Sequence, residues 1–312
     1  MIPVEEERGI GLVKNRSANL YWWGLTAATF AASAVCWAVF LPSGLVEAQS
    51  SRPRFVEPTT DPMSDADHRR VAGILAQLGG ASPLSVRLEQ ASRELLGAPY
   101  QTSPLRGSID QPEEMVTRTD RFDCVTFLET VLALGLSAHP KQFVETLRAI
   151  RYQDGVVDFR ARHHYMTDWH RANRRQGLLR ELIPQAEARE EPRTLSVIDG
   201  LPARRVTLRF LPRSRIPRLL PQVEDGDVIY FLTHRQGIDA FHAGLLFRGE
   251  GGLRLRHASR RQGEVVEEDL SRFLRHSPPA GVVILRPLIQ REGAVEAGKK
   301  GDWLEIGRSR GW

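Results

Sequence analysis

Cysteine is nearly absent: Cys36 and Cys124 are the only two in 312 residues. Cys36 falls in an N-terminal apolar segment, so the rest of the chain cannot be a disulfide scaffold. There is no cysteine pair and no His-Glu-x-x-His. His163, His164, His242 and His257 are a poor zinc set, because adjacent histidines on an extended segment point apart, so no metal is expected. The sequence has no internal repeat and no Gly-rich phosphate loop, which removes solenoids and P-loop enzymes from consideration and leaves no call for an organic cofactor. Basic residues exceed acidic ones by five, but they are mostly arginines scattered along the chain, with no nucleic-acid motif beside them. A nucleic-acid partner is therefore not expected.

What is present is an ordinary globular composition, 41% hydrophobic and 26% charged. Lys14 and Arg16 precede an apolar run from Leu20 to Leu41, and Val46-Glu47-Ala48 offers small residues at the spacing an export peptidase reads. Residues 1–48 thus read as a secretory signal. The run is also just long enough to span a bilayer, so an uncleaved inner-membrane anchor is the alternative. Either reading places the remainder outside the cytoplasm, in the periplasm or cell envelope. Residues 49–65 have linker composition, 66–288 read as the folded domain, and 289–312 as a loosely ordered Gly- and charge-rich tail.

The centre of the domain is Asp123-Cys124-Val125-Thr126-Phe127-Leu128-Glu129. Apolar residues at Val125, Leu128, Val131, Leu132 and Leu136 recur at helical spacing behind Asp123, a good N-cap. Cys124 then sits on the first turn, where unpaired N–H groups and the helix dipole favour a thiolate and fast alkylation below the usual thiol pKa of about 8.5. Free cysteines are commonly small core residues. An unpaired thiol in an exported protein is unusual, which favours a nucleophile.

Helices are also expected over Ala66–Leu78, Val86–Leu96 and from Pro140 to Ile150, with a short strand at Val156–Phe159. Arg162 to Trp169 shows neither helical nor strand periodicity and reads as a polar, aromatic loop that contacts substrate. Strands are expected at Asp227–Leu232, Phe241–Phe247, Leu253–Ser259 and Val282–Leu285. Helices first and an antiparallel sheet second make an α+β domain. A hairpin centred between Gly249 and Glu250 sets His242 directly opposite His257, with Cβ atoms about 5 Å apart. One imidazole can then serve the thiol while the other orients it.

These blocks, with Leu96-Gly97-Ala98-Pro99-Tyr100, Tyr152 to Gly155, Gly226-Asp227, His242-Ala243-Gly244 and His257-Ala258-Ser259, resemble the NlpC-type branch of papain-like cysteine hydrolases. Within that branch the chain is most similar to the N-acetylmuramoyl-L-alanine amidase-like subgroup, from about Leu84 to Pro287. The resemblance implies a papain-like fold with the cysteine helix packed on the sheet. It implies Cys124 as nucleophile, His242 as base and His257 as its orienting partner, with no metal. Tyr100, Arg162, His164, Tyr165, Asp168 and Trp169 would contact a peptidoglycan or muropeptide substrate. The implied bond is N-acetylmuramoyl-L-alanine, with a γ-D-glutamyl-diamino acid endopeptidase or an inactive wall-binding module as alternatives. The subgroup usually carries Arg-Asn-His-Tyr where this chain has Arg162-His163-His164-Tyr165, so position 163 departs from it.

Overall fold

A computed structural model describes residues 63–80 and 82–289. The signal or anchor, nearly all of the linker, and the tail lie outside the described residues, among which no helix is long and apolar enough to cross a membrane.

The described residues open with four helices: α1 (Asp65–Leu78), α2 (Leu84–Arg93), α3 (Cys124–Leu136) and α4 (Pro140–Arg151). α3 is the central one. Every residue from Thr126 to Gly135 is buried, as expected of a helix that is apolar on all sides. It packs between α2 and α4 and lies across two strands of the sheet. Its one buried acid, Glu129, is neutralised by Arg151 of α4, with Nε 2.7 Å from the carboxylate and both side chains 2% exposed. Losing either partner of such a pair costs about 3–5 kcal/mol, because a charge is left stranded in the core.

After α4 comes α5 (Met166–Arg175), followed by β1 (Leu179–Glu181), β2 (Arg189–Leu195), β3 (Arg204–Pro212) and the short α6 (Ile216–Leu219). Next are β4 (Asp227–Leu232), β5 (Ala240–Gly249), β6 (Gly252–Ser259), β7 (Glu264–Asp269), α7 (Leu270–His276) and β8 (Gly281–Pro287). The strands form one sheet of order β2-β3-β8-β4-β5-β6-β7, with β1 also on β8. Every pairing is antiparallel. β4 sits in the middle and is buried at all six positions, consistent with its unbroken apolar run. The expected α+β architecture, cysteine helix against antiparallel sheet, is what the chain adopts.

Two expected elements differ. Val156–Phe159 is not a strand. Tyr152 bridges to Arg162, and Gln153 N–H donates to the Ala161 carbonyl, so the chain folds back on itself and leaves these residues in the loop with no edge to join. The block from Arg162 to Trp169 is not wholly loop, since α5 begins at Met166. Its buried face is Met166, Trp169, His170, Ala172 and Asn173. Polar residues on that face hid the period, and they are accommodated by hydrogen bonds such as Asn173 Nδ2 to the Ile150 carbonyl at 3.0 Å.

Candidate active site

The start of α3 is a reciprocal capping box. The Asp123 carboxylate accepts from Val125 N–H and Thr126 N–H, and the Thr126 hydroxyl accepts from Asp123 N–H. This fixes Cys124 as the first helical residue. The same cap works against a thiolate. Burial pushes the Cys124 thiol up to about 12, and the adjacent Asp123 carboxylate adds to the rise. The N–H groups of Ala243, Cys124 and Val125 pull the other way and do not prevail. Desolvation and a neighbouring anion thus oppose the dipole that favours a low-pKa thiol at a helix N-terminus.

The Ala243 N–H that reaches the thiol belongs to β5, one residue beyond His242. Just before His242 the β4–β5 ladder slips: Phe231 pairs with His242 but Leu232 with Ala240, so Phe241 is the extra residue of a bulge. Bulges of this kind re-aim side chains beside active sites. The His242 ring stacks on Phe273 of α7 at 5.4 Å and on Phe231 at 6.2 Å. This apolar setting pushes the imidazole down to about 3, and His257 depresses it further.

The expected hairpin register is corrected by two residues. Gly249 pairs with Gly252 and Leu245 with Arg256, so one further step sets Gly244, not His242, opposite His257. A slip of two preserves the face. The histidines meet diagonally across the ladder, with His242 Nε2 2.6 Å from His257 Nδ1. On its far side His257 Nε2 lies 3.1 Å from Glu268 Oε1 on β7. Sequence reasoning missed Glu268. Its only signal was position on a strand itself unrecognised, because Glu264–Asp269 is mostly acidic. Burial pushes His257 down to about 4, so both rings are neutral at pH 7.

Tyr100 reaches the same place through the backbone. Gly97 N–H donates to Val265 and Tyr100 N–H to Gly263, covering the edge of β7, while Tyr100 bridges to Phe122 just ahead of Cys124. Burial raises the phenol, and a charged Cys124 would raise it further.

The other predicted contact residues lie elsewhere. Arg162, His164, Tyr165 and Asp168 line a cavity of about 320 Å³ to which Cys124, His242 and His257 do not contribute. Arg162 pairs with Glu113 at 2.9 Å, and Asp168 pairs with Arg204. His164 Nε2 lies 2.7 Å from the Phe159 carbonyl, and the Tyr165 hydroxyl accepts from Val197 N–H at 3.0 Å. Trp169 is fully buried, so its expected substrate contact is corrected: it faces the core because α5 starts three residues earlier. The block is tied to β5 by buried Asp239, which accepts from Thr167 N–H and Ala240 N–H. Among the described residues, no three His, Cys, Asp or Glu side chains converge as metal ligands.

Comparison with solved structures agrees with this architecture. An N-acetylmuramoyl-L-alanine amidase from Bacteroides uniformis aligns at TM-score 0.60 and 27% identity, covering 66% of this chain and 99% of that one. A Bacteroides fragilis protein provisionally named a xylanase aligns at 0.57 and 28% identity, over 63% and 98%. A Legionella pneumophila protein shares the fold at TM-score 0.61 and 21% identity, over 72% and 95%. No curated relative matches the chain. The pattern of the AmiA-like family, described as N-acetylmuramoyl-L-alanine amidase-like, matches residues 90–282, more than half of the chain, and the chain belongs to that family.

Proposed function

We propose that this protein is an exported cysteine amidase of the papain-like, NlpC-type class that hydrolyses the amide bond between N-acetylmuramic acid and L-alanine in peptidoglycan or its fragments. Family membership and likeness to the Bacteroides uniformis amidase support the substrate class. The observation that carries the cysteine mechanism is the Glu268–His257–His242 relay, which ends one residue before Ala243, whose N–H reaches the capped Cys124. Export rests on the basic, apolar and small-residue pattern of residues 1–48.

The relay assigns its own protons. A Glu268 carboxylate only accepts, so His257 carries its proton on Nε2 and offers Nδ1 as acceptor. His242 therefore donates from Nε2, which leaves its Nδ1 lone pair for the thiol. Thiol and imidazole rest neutral, so the proton moves as Sγ attacks the amide carbonyl, not before. His242 then delivers that proton to the alanine nitrogen as the C–N bond breaks, leaving a thioester. Water, deprotonated by the same nitrogen, attacks the thioester, releases the lactyl carboxylate and restores the thiol. The Cys124 N–H at the helix start and the Tyr100 hydroxyl would hold the oxyanion.

The test is mass spectrometry of residues 49–312 incubated with a muramyl tripeptide beside Cys124→Ala. Release of intact tripeptide by the wild type alone is the expected result. Cleavage inside the peptide would replace the amidase with an endopeptidase, and cleavage by Cys124→Ala would end the cysteine mechanism.

A further inference from the structure

The cavity of about 320 Å³ at the start of α5 has an unusual charge balance. Asp168, Arg171 and Arg175 recur at three- and four-residue spacing, which puts them on one face of α5. Arg160, Arg162 and Arg204 converge on the same space from the preceding loop and from β3. Arg162 is balanced by Glu113 and Arg204 by Asp168. Among the described residues no ion pair is found for Arg160 or Arg175, and Arg171 donates only to the Thr207 carbonyl. Three exposed cations thus face one cavity without an ion-paired partner, an excess of positive charge that favours entry of an anion.

A second observation points the same way. His163 lines this cavity, and its Nε2 is buried without a hydrogen-bond partner. Burial, and then Arg175, push this imidazole down to about 4. A buried polar atom left unpaired is costly, and the His163 ring that carries it forms part of the cavity wall. Position 163 is also where this chain departs from the pattern of the subgroup it resembles.

We propose that this cavity is an anion site, in which Arg160, Arg171 and Arg175 hold a carboxylate- or phosphate-bearing group beside the His163 ring. Its volume suits a group of dipeptide size. The source assigned here is a carboxylate of the substrate's acidic peptide, which rests on the amidase reading; inorganic phosphate shares the chemistry and is separated from it by experiment.

The experiment is isothermal titration of full-length Cys124→Ala at low salt with L-alanyl-D-glutamate, its diamide, and inorganic phosphate. The free dipeptide should bind about tenfold or more tightly than the diamide, and Arg160→Glu and Arg175→Glu, both exposed, should each weaken it by a similar factor. The His163 ring should titrate at higher pH with dipeptide bound. Equal affinity for dipeptide and diamide, no binding, or indifference to both charge reversals would overturn the proposal. Binding of phosphate alone would overturn the peptide source. Binding is read without turnover, so failure of the wild type to cleave a muramyl peptide would count against the amidase reading only.

Discussion

His242 Nε2 lies 2.6 Å from His257 Nδ1, and this single contact, made diagonally between two strands, leaves Nδ1 as the ring nitrogen of His242 outside the relay. The contact has a direction only because Glu268 holds the far nitrogen of His257. Without that carboxylate either histidine could be the donor, and in one of the two arrangements His242 Nδ1 would carry a proton instead of a lone pair.

Glu268 is accordingly expected to act through His257 as a positioning residue. Glu268→Ala should lower kcat on the order of tenfold to a hundredfold with little change in KM. Glu268→Gln should retain most of the activity, because an amide oxygen still accepts from His257 Nε2. Steady-state kinetics on both variants checks this; equal losses, or a loss confined to KM, would contradict the relay.

The raised thiol predicts slow chemistry in the free enzyme. Alkylation of Cys124 by iodoacetamide should be slow at pH 7 and keep climbing with pH well above about 8.5, the ordinary thiol midpoint. Stopped samples read by mass spectrometry give the profile. A plateau near neutrality would mean a preformed thiolate–imidazolium pair.

Gly244 is required by space, not by backbone conformation. A Cβ there would stand 2.8 Å from Leu255 Cδ1, 2.9 Å from the Arg256 carbonyl and 3.0 Å from His257 Cβ. Gly244→Ala should destabilise the fold by about 2 kcal/mol by urea denaturation, a typical overpacking cost. Because the crowding falls on His257, kcat should drop as well, under conditions where the variant is fully folded.

Stability should fall in mild acid. His163, His164, His170, His242 and His257 are each pushed down to about 3 or 4 by burial. In the unfolded chain they protonate near pH 6.5. Between those limits the unfolded state binds more protons, so stability present above pH 6.5 is lost as pH falls towards 4. Glu113, Asp123 and Glu129, raised by burial, act in the opposite sense but are outnumbered. Thermal melts at pH 7.5, 6, 5 and 4 should show a declining Tm; a flat or rising Tm would refute the balance.

The sequence by itself determined the cysteine helix, its aspartate cap, the strands bearing both histidines and the α+β order of elements. Those features are local: a cap residue, an apolar period or a turn dipeptide sits within a few positions of what it specifies. Tertiary structure decided the rest. β2 was illegible because Arg189–Leu195 is a polar edge strand containing Pro192, and β7 because acidic residues dominate it. Its register set Glu268 beside His257. The diagonal meeting of His242 and His257 depended on a turn tip one residue from the centre the composition suggested, which moves each cross-strand partner by two, although period-two geometry kept both rings on one face. Burial pushes the Cys124 thiol up, since desolvation is summed over every element packed around the sulfur, and no spacing along the chain records that sum.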